Sequence, residues 1–125
     1  TTLFKKTEVI EIQFYNEDLP GYVAESINIG DKVKDSVKNT VFGEVINKEV
    51  KPSVVFGVDD QGVLRQTTRP GYVSMILTVK AEAVYTDTGV IINNTDYYVG
   101  RSLELRAGNG VIWTRIKAID RVQAQ

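Results

Sequence analysis

Residues that branch at Cβ dominate this chain and constrain its fold more than any other feature. Valine and isoleucine together number 29, against 12 for leucine and alanine together. Branched side chains are restricted at χ1 and pack well on a pleated sheet, whereas helices favour unbranched types. The composition therefore predicts a fold built from strands.

Apolar and polar residues alternate along two segments, as they do in half-buried strands. Near the N-terminus, Ile10, Ile12 and Phe14 alternate with polar neighbours. The longest such segment is 72–85, and a strand of that length usually bends or coils. One face of it carries Val73, Met75, Leu77, Val79, Ala81, Ala83 and Tyr85.

Turn residues punctuate the rest of the chain at short intervals. Turns are predicted at 59–62, 86–89, 93–96 and 107–110. The first, Asp59-Asp60-Gln61-Gly62, predicts a hairpin between 54–58 and 63–68. Only 18–27 resembles a helix, and Pro20-Gly21 limits it to a turn or two.

These patterns predict an all-β fold with at most one short helix. Many short antiparallel strands with turns between them are typical of a small barrel-like or sandwich domain. No linker-like stretch divides the chain, so we expect one domain, residues 1–125.

A faint internal repeat favours two similar β-units. Ile29-Gly30-Asp31-Lys32-Val33 matches Val99-Gly100-Arg101-Ser102-Leu103 at an offset of 70. Two such units related by a pseudo-twofold axis would close into one barrel with few exposed edges. Pro20-Gly21-Tyr22-Val23 also recurs, at 70–73, but its offset of 50 is incompatible with the first repeat. We interpret that second recurrence as coincidence.

Composition excludes several function classes. Histidine and cysteine are absent, so no thiolate nucleophile, imidazole base, disulfide, or thiolate or imidazole metal site is available. We expect no cofactor and no metal. The net charge is −1, and a nucleic-acid partner is not expected because no basic stripe is visible. The basic residues are scattered: Lys5, Lys6, Lys32, Lys34, Lys38, Arg65, Arg69, Arg101, Arg106 and Arg115.

The sharpest local motif is Asp87-Thr88-Gly89, the tripeptide of aspartic proteases, in which two carboxylates share a proton and activate water. Residues 84–86 lack the paired apolar residues that precede such an aspartate, and Val99-Gly100-Arg101 follows it too closely. We therefore interpret it as a hairpin turn. No catalytic residue is assigned, and we expect the protein not to be an enzyme.

Other polar candidates have weaker patterns. Asp31, Asp35, Asp59 and Asp60 lack calcium-loop spacing. Asn93-Asn94-Thr95 fits a glycosylation acceptor, which is relevant only in a eukaryotic secretory pathway. A serine–lysine pair among Ser36, Ser53 and Lys80 has no supporting spacing.

Aromatic residues are the remaining candidates for recognition, since such rings dominate binding hot spots. Aromatics on strands more often pack in the core, so no ligand-binding residue is assigned. The run Val54-Val55-Phe56 is either an exposed apolar edge or a buried strand. The aromatic candidates are Tyr15, Tyr22, Tyr72, Tyr97, Tyr98 and Trp113.

Several stretches together resemble a bacterial family of domains of unknown function, numbered 4330. They are Ile27–Val33, Phe42–Val45, Gly71–Val79, Thr88–Ile92 and Tyr98–Gly108. The resemblance implies an N-terminal membrane helix, absent from this chain, with the domain displayed on the extracytoplasmic face of a bacterial membrane. It implies no known activity and no functional residues.

Residues 30–33 and 41–45 are also similar to the small barrels of the lipid-handling mammalian-cell-entry family. Our first hypothesis is a non-enzymatic interaction module, tethered to the membrane, that binds another protein or an envelope component. The alternative is a lipid- or small-ligand-handling barrel that acts as an oligomer. A ring with bound acyl chains favours the alternative, and a bare monomer favours the module; the sequence does not indicate the oligomeric state.

Overall fold

The structure of the chain is a computed structural model that describes residues 6–122. Strands make up 66% of these residues and helix 4%, so the prediction of an all-β fold with one short helix is confirmed. Residues 1–5, which include Lys5, and 123–125 lie outside the described residues. The single domain over 1–125 stays a prediction. No helix within 6–122 has the length and hydropathy needed to span a membrane.

Ten strands and one helix follow one another along the described residues. Their bounds are β1 Glu8–Pro20, α1 Gly21–Glu25, β2 Lys32–Asp35, β3 Val41–Pro52, β4 Val55–Val58, β5 Leu64–Thr67, β6 Tyr72–Thr86, β7 Gly89–Ile92, β8 Thr95–Tyr97, β9 Ser102–Ala107 and β10 Gly110–Arg121. The helix begins directly after Pro20, a position where the missing proline N–H is harmless. The four predicted turns all separate neighbouring strands.

Eight strands form one antiparallel sheet in the order β1-β10-β9-β2-β3-β6-β7-β8, while β4 and β5 form a second, two-stranded sheet. β1 also pairs with β6, so the large sheet curls until these two strands meet. It is barrel-like, yet it is not a closed barrel. Strands β1, β10, β9, β2, β3 and β6 pair in a continuous ring. The expectation that the whole sheet closes with few edges is nevertheless wrong, because β7 and β8 extend from β6 and leave β8 at an edge.

The internal repeat of the sequence is also a repeat of the backbone. Gly30 and Gly100 both have φ of 95°, in the left-handed region that favours glycine. The N–H of Gly30 donates to the Val45 carbonyl at 2.8 Å, and the N–H of Gly100 donates to the Ile116 carbonyl at 2.8 Å. The two turns therefore hold their following strands in the same way.

Strand pairing extends this pseudo-twofold relation over the body of the fold. The equivalent strands of the two units are β1 and β6, β2 and β9, and β3 and β10. β2 pairs with β9 and β1 pairs with β6 across the axis, and the β3–β6 pairing is equivalent to the β10–β1 pairing. A bulge at Ile46 of β3 has its counterpart at Lys117 of β10. β4 and β5 lie between the two units and have no counterpart, so the repeat does not account for them.

Apolar side chains from both units fill the interior. The predicted faces are confirmed, since Ile10, Ile12 and Phe14 of β1 are buried. Phe42 lies between Phe14 and Tyr97, with ring centroids 5.3 and 4.8 Å away. Such contacts add to the burial of each ring. No side chain from β4 or β5 belongs to this core.

Candidate functional site

The β4–β5 hairpin forms a sheet of its own outside the core, and we call residues 53–69 the arm. Its two strands pair only with each other. Phe56, Val58 and Leu64 share one face of it, because Phe56 is opposite Gln66 and Val58 opposite Leu64. Their side chains are 65, 69 and 65% exposed. Of the two alternatives for 54–56, the exposed edge is therefore the correct one for Phe56.

A buried hydroxyl joins the two strands of the arm at its base, and a backbone hydrogen bond fixes that base to the rest of the fold. Ser53 is 3% exposed, and its Oγ accepts the N–H of Arg69 at 2.7 Å and lies 3.2 Å from Thr68 Oγ1. The N–H of Val54 donates to the Glu17 carbonyl at 2.9 Å. Both strands of the arm are thus held where they leave the body.

Arg69 supplies a second attachment. Its guanidinium lies 2.8 Å from Asp18 Oδ2 and stacks 3.5 Å from the centre of the Tyr72 ring. A half-buried ion pair with a cation–π contact restricts the guanidinium more than an exposed pair does. The arm is therefore held at its base while its apolar face remains exposed.

The tip of the arm is ordered by Asp59. Its Oδ1 accepts the N–H groups of Gln61 and Val63, both at 2.9 Å, and Arg65 Nε donates to its Oδ2 at 2.6 Å. The Arg65 guanidinium, followed by the bond from Val63, lowers the pKa of Asp59 below its ordinary 3.8. The carboxylate form thus closes the turn.

Acid is expected to loosen the tip of the arm. Because the folded pKa of Asp59 is lowered, its contribution is present above pH 3.8 and is lost as the pH falls through the folded pKa. Amide resonances of 59–65 should then shift in an NMR titration, and their protection against hydrogen exchange relative to the intrinsic rate at each pH should fall. Asp59→Asn should show the loosened tip already at neutral pH, and unchanged tip amides in that variant would contradict the prediction.

A groove of about 580 Å³ lies beside the base of the arm, within the size range of small-ligand sites. Tyr15, Ser74 and Ile76 from β1 and β6 line it, together with the ends of β3 and β5. Lys117 lies 5.6 Å from the centre of the Tyr15 ring. The groove therefore combines apolar surface with polar groups at its rim.

Asp35 and Tyr97 form a hydrogen-bonded pair that is buried from solvent. The two residues are 2 and 0% exposed, and the Tyr97 hydroxyl donates to Asp35 Oδ2 at 2.9 Å. Burial first, and then the hydrogen bond and charge of Asp35, raise the pKa of Tyr97. Oδ1 accepts the N–H groups of Val37 and Lys38 at 3.0 and 3.1 Å. Since no substrate reaches this pair, its role is structural.

The acidic candidates do not come together in one cluster. Asp87 is exposed in the β6–β7 turn, Asp35 is buried, Asp59 and Asp60 lie at the arm tip, and Asp31 lies in the turn before β2. Within residues 6–122 no group of three potential ligands could hold a metal ion.

The other polar candidates lie in turns or in local hydrogen bonds. Asn93 and Asn94 form the β7–β8 turn with positive φ. Ser36 Oγ donates to Glu104 Oε1 at 2.6 Å. Ser53 Oγ accepts the N–H of Arg69 at the base of the arm. Neither hydroxyl is hydrogen-bonded to Lys80, so the structure does not form the serine–lysine pair considered above.

The six aromatic candidates do not form one groove. Tyr97 is in the core, Tyr15 lines the groove beside the arm, and Tyr72 lies beneath Arg69. Tyr22, Tyr98 and Trp113 are exposed elsewhere. Phe56 is the single aromatic residue of the arm, and the sequence analysis considered it only as part of an apolar run. No sequence signal marks the arm as separate from the core.

The sequence matches the model of one protein family. A family model described as "Domain of unknown function (DUF4330)" matches residues 2–120. The chain belongs to this family. The DUF4330 match covers both β-units and the arm, which confirms the resemblance drawn from 27–108. Neither a curated protein nor a solved structure matches the chain.

Proposed function

We propose that this DUF4330 domain is a non-enzymatic binding module whose arm attaches to a partner protein. The observation that carries this proposal is the exposed apolar face formed by Phe56, Val58 and Leu64. These side chains contribute nothing to the core. Exposed apolar patches rimmed by polar residues are typical of interaction sites.

The arm also offers strand edges to a partner. An isolated two-stranded hairpin is marginally stable in water, and unpaired strand edges readily take up another extended segment. The partner expected for this site is an extended segment with apolar side chains at alternate positions, which adds a strand to β4 or β5. The anchored base favours this mode, because the arm needs little ordering when it binds.

The test compares an arm variant with a matched control. F56S/L64S removes two exposed apolar side chains from the arm, and I29S/V37S removes two from exposed positions elsewhere in the fold. Because none of the four belongs to the core, both variants should stay folded by circular dichroism. Each is used with the wild type to capture proteins from an envelope extract of the source cells.

The proposal requires a protein that the wild type and I29S/V37S capture and F56S/L64S does not. Crosslinking at a cysteine introduced at Gln66, beside Phe56, should attach that same protein. Equal capture by all three proteins, or none by the wild type, would overturn the proposal.

We further propose that the domain is tethered to a bacterial membrane and displayed at its extracytoplasmic face. This rests on the family resemblance alone. Protease added to spheroplasts that make the full-length protein should digest the domain, while a cytoplasmic marker survives. Digestion only after lysis would contradict the proposed location.

The alternative is a lipid- or small-ligand-handling domain that acts as an oligomer. The groove beside the arm favours it, because its volume suits a small amphiphilic ligand. Native mass spectrometry of gently purified protein separates the two proposals. A multimer with lipid-sized additional mass supports the alternative, whereas a bare monomer supports the binding module.

A further inference from the structure

A second pocket, of about 330 Å³, lies on the outer face of the sheet where β2 pairs with β9. It is near the start of β3, whereas the arm follows the end of that strand. Lys32, Lys34 and Arg106 line it together with Val41 and Gly108. We call these residues the basic pocket.

Two like charges are directly opposite each other in this pocket. Lys34 of β2 is the register partner of Arg106 of β9, and like charges at such positions destabilise a strand pair. Lys34 Nζ has a neutral neighbour, Asn39 Oδ1, at 3.4 Å. Among residues 6–122, none of the three basic side chains forms a salt bridge. The fold thus keeps an unfavourable pair without compensating it internally.

The acids near the pocket do not neutralise it. Glu44 is the register partner of Lys32 but forms no ion pair with it. Asp31 lies beside Gly108 and accepts the N–H of Asn28 at 2.8 Å. Glu104 is bonded to the Ser36 hydroxyl. Positive charge therefore remains in excess at the wall formed by Lys34 and Arg106.

We propose that the basic pocket binds a phosphoryl group. The guanidinium of Arg106 matches two phosphate oxygens, and Lys32 and Lys34 supply further charge-assisted donors. An anion between Lys34 and Arg106 would relieve their repulsion. Val41 and Val111, 59 and 42% exposed, flank the two cations in the same cross-strand row. The phosphoryl group belongs either to a free phosphate or to the headgroup of an anionic lipid.

The pocket was not visible in the sequence, where these basic residues are separated by up to 74 positions. The β2–β9 pairing across the pseudo-twofold axis brings them together. The inference does not depend on the proposed function, because it concerns a different surface. Loss of phosphoryl binding and loss of partner capture by the arm are separate results.

The experiment uses the full chain and two probes. Thermal unfolding, followed by Trp113 fluorescence, is measured while sodium phosphate replaces sodium chloride at constant ionic strength. Co-sedimentation compares vesicles of pure phosphatidylcholine with an equimolar mixture of phosphatidylcholine and phosphatidic acid. Phosphate also stabilises folded proteins without a binding site, so only stabilisation that exceeds its effect on K34Q/R106Q identifies free phosphate as a sufficient ligand. Binding only to the anionic vesicles identifies the lipid headgroup.

Matched variants make the result specific. Whichever of the two probes the wild type binds, phosphate or the anionic vesicles, K34Q/R106Q should bind it more than about tenfold more weakly. The reason is that two charge-assisted hydrogen bonds are lost. K6Q/R115Q removes the same charge outside both this pocket and the groove beside the arm, and it should bind like the wild type. K34Q alone should raise the unfolding temperature in low salt without phosphate, since it removes the repulsion. The proposal is overturned if neither probe binds, or if both double variants lose binding equally.

Discussion

Gly43→Ala is expected to lower the free energy of unfolding by about 3–5 kcal/mol. A Cβ at this position would overlap the backbone carbonyl oxygen of Lys80. Gly43 also has φ of 156°, a value that residues with a side chain rarely adopt. Because it pairs with Val33 of β2 and Ala81 of β6, the overlap is relieved only if a central part of the sheet shifts.

The matched control is Gly57→Ala in β4, where an added Cβ meets no atom within 4 Å. That substitution should change stability by less than about 0.5 kcal/mol. Urea denaturation of both variants, followed by circular dichroism and by Trp113 fluorescence, measures the difference. Similar stabilities for the two variants would show that β3 and β6 do not approach each other as closely as described.

Local patterns were sufficient to predict most strands. The alternation over 72–85 matches β6, Tyr72–Thr86. One face of that strand packs on the core, so apolar residues occupy alternate positions of its sequence. The turn at 59–62 was predictable because aspartate and glycine favour turns on backbone grounds. The repeat at offset 70 corresponds to a backbone repeat because Gly30 and Gly100 adopt the same conformation in two equivalent turns.

Long-range arrangement was less predictable, and the reasons are physical. Short apolar runs have the same pattern whether they are buried or exposed, so the exposure of Phe56 was not visible. Whether the sheet closes depends on which strands β7 and β8 pair with. The alternation of apolar residues within a strand does not indicate its partners. The meeting of Lys34 with Arg106 depends on the pairing of two distant strands. The burial of Asp35, in contrast, was predictable from the alternation in β2, because Asp35 lies two positions after Val33 and therefore on the same inward face.

Asp35→Ala is expected to cost about 3 kcal/mol, because it removes the acceptor of three hydrogen bonds in or beside the core. The Tyr97 hydroxyl would be left without its acceptor in a fully buried position. The N–H groups of Val37 and Lys38 would lose the carboxylate that shapes the turn after β2. Equilibrium unfolding in urea measures the loss.

Two further variants separate the buried hydrogen bond from the turn. Tyr97→Phe leaves the turn intact and removes only the donor to Asp35 Oδ2, so about 1–3 kcal/mol should be lost. Asp60→Ala, at the exposed arm tip, should change stability by less than about 0.5 kcal/mol. If Tyr97→Phe were as stable as the wild type, the buried pair would not be a stabilising contact of the core.

The same pair predicts a response to alkali. Because the pKa of Tyr97 is raised above 10.0, its contribution to stability is complete below that value and is lost as the pH rises through the folded pKa. In an absorbance titration Tyr97 should therefore ionise in a late step above pH 10.0, together with unfolding. Tyr97→Phe should remove that late step. A late step that persists in the variant would assign it to another tyrosine and contradict the role given to this pair.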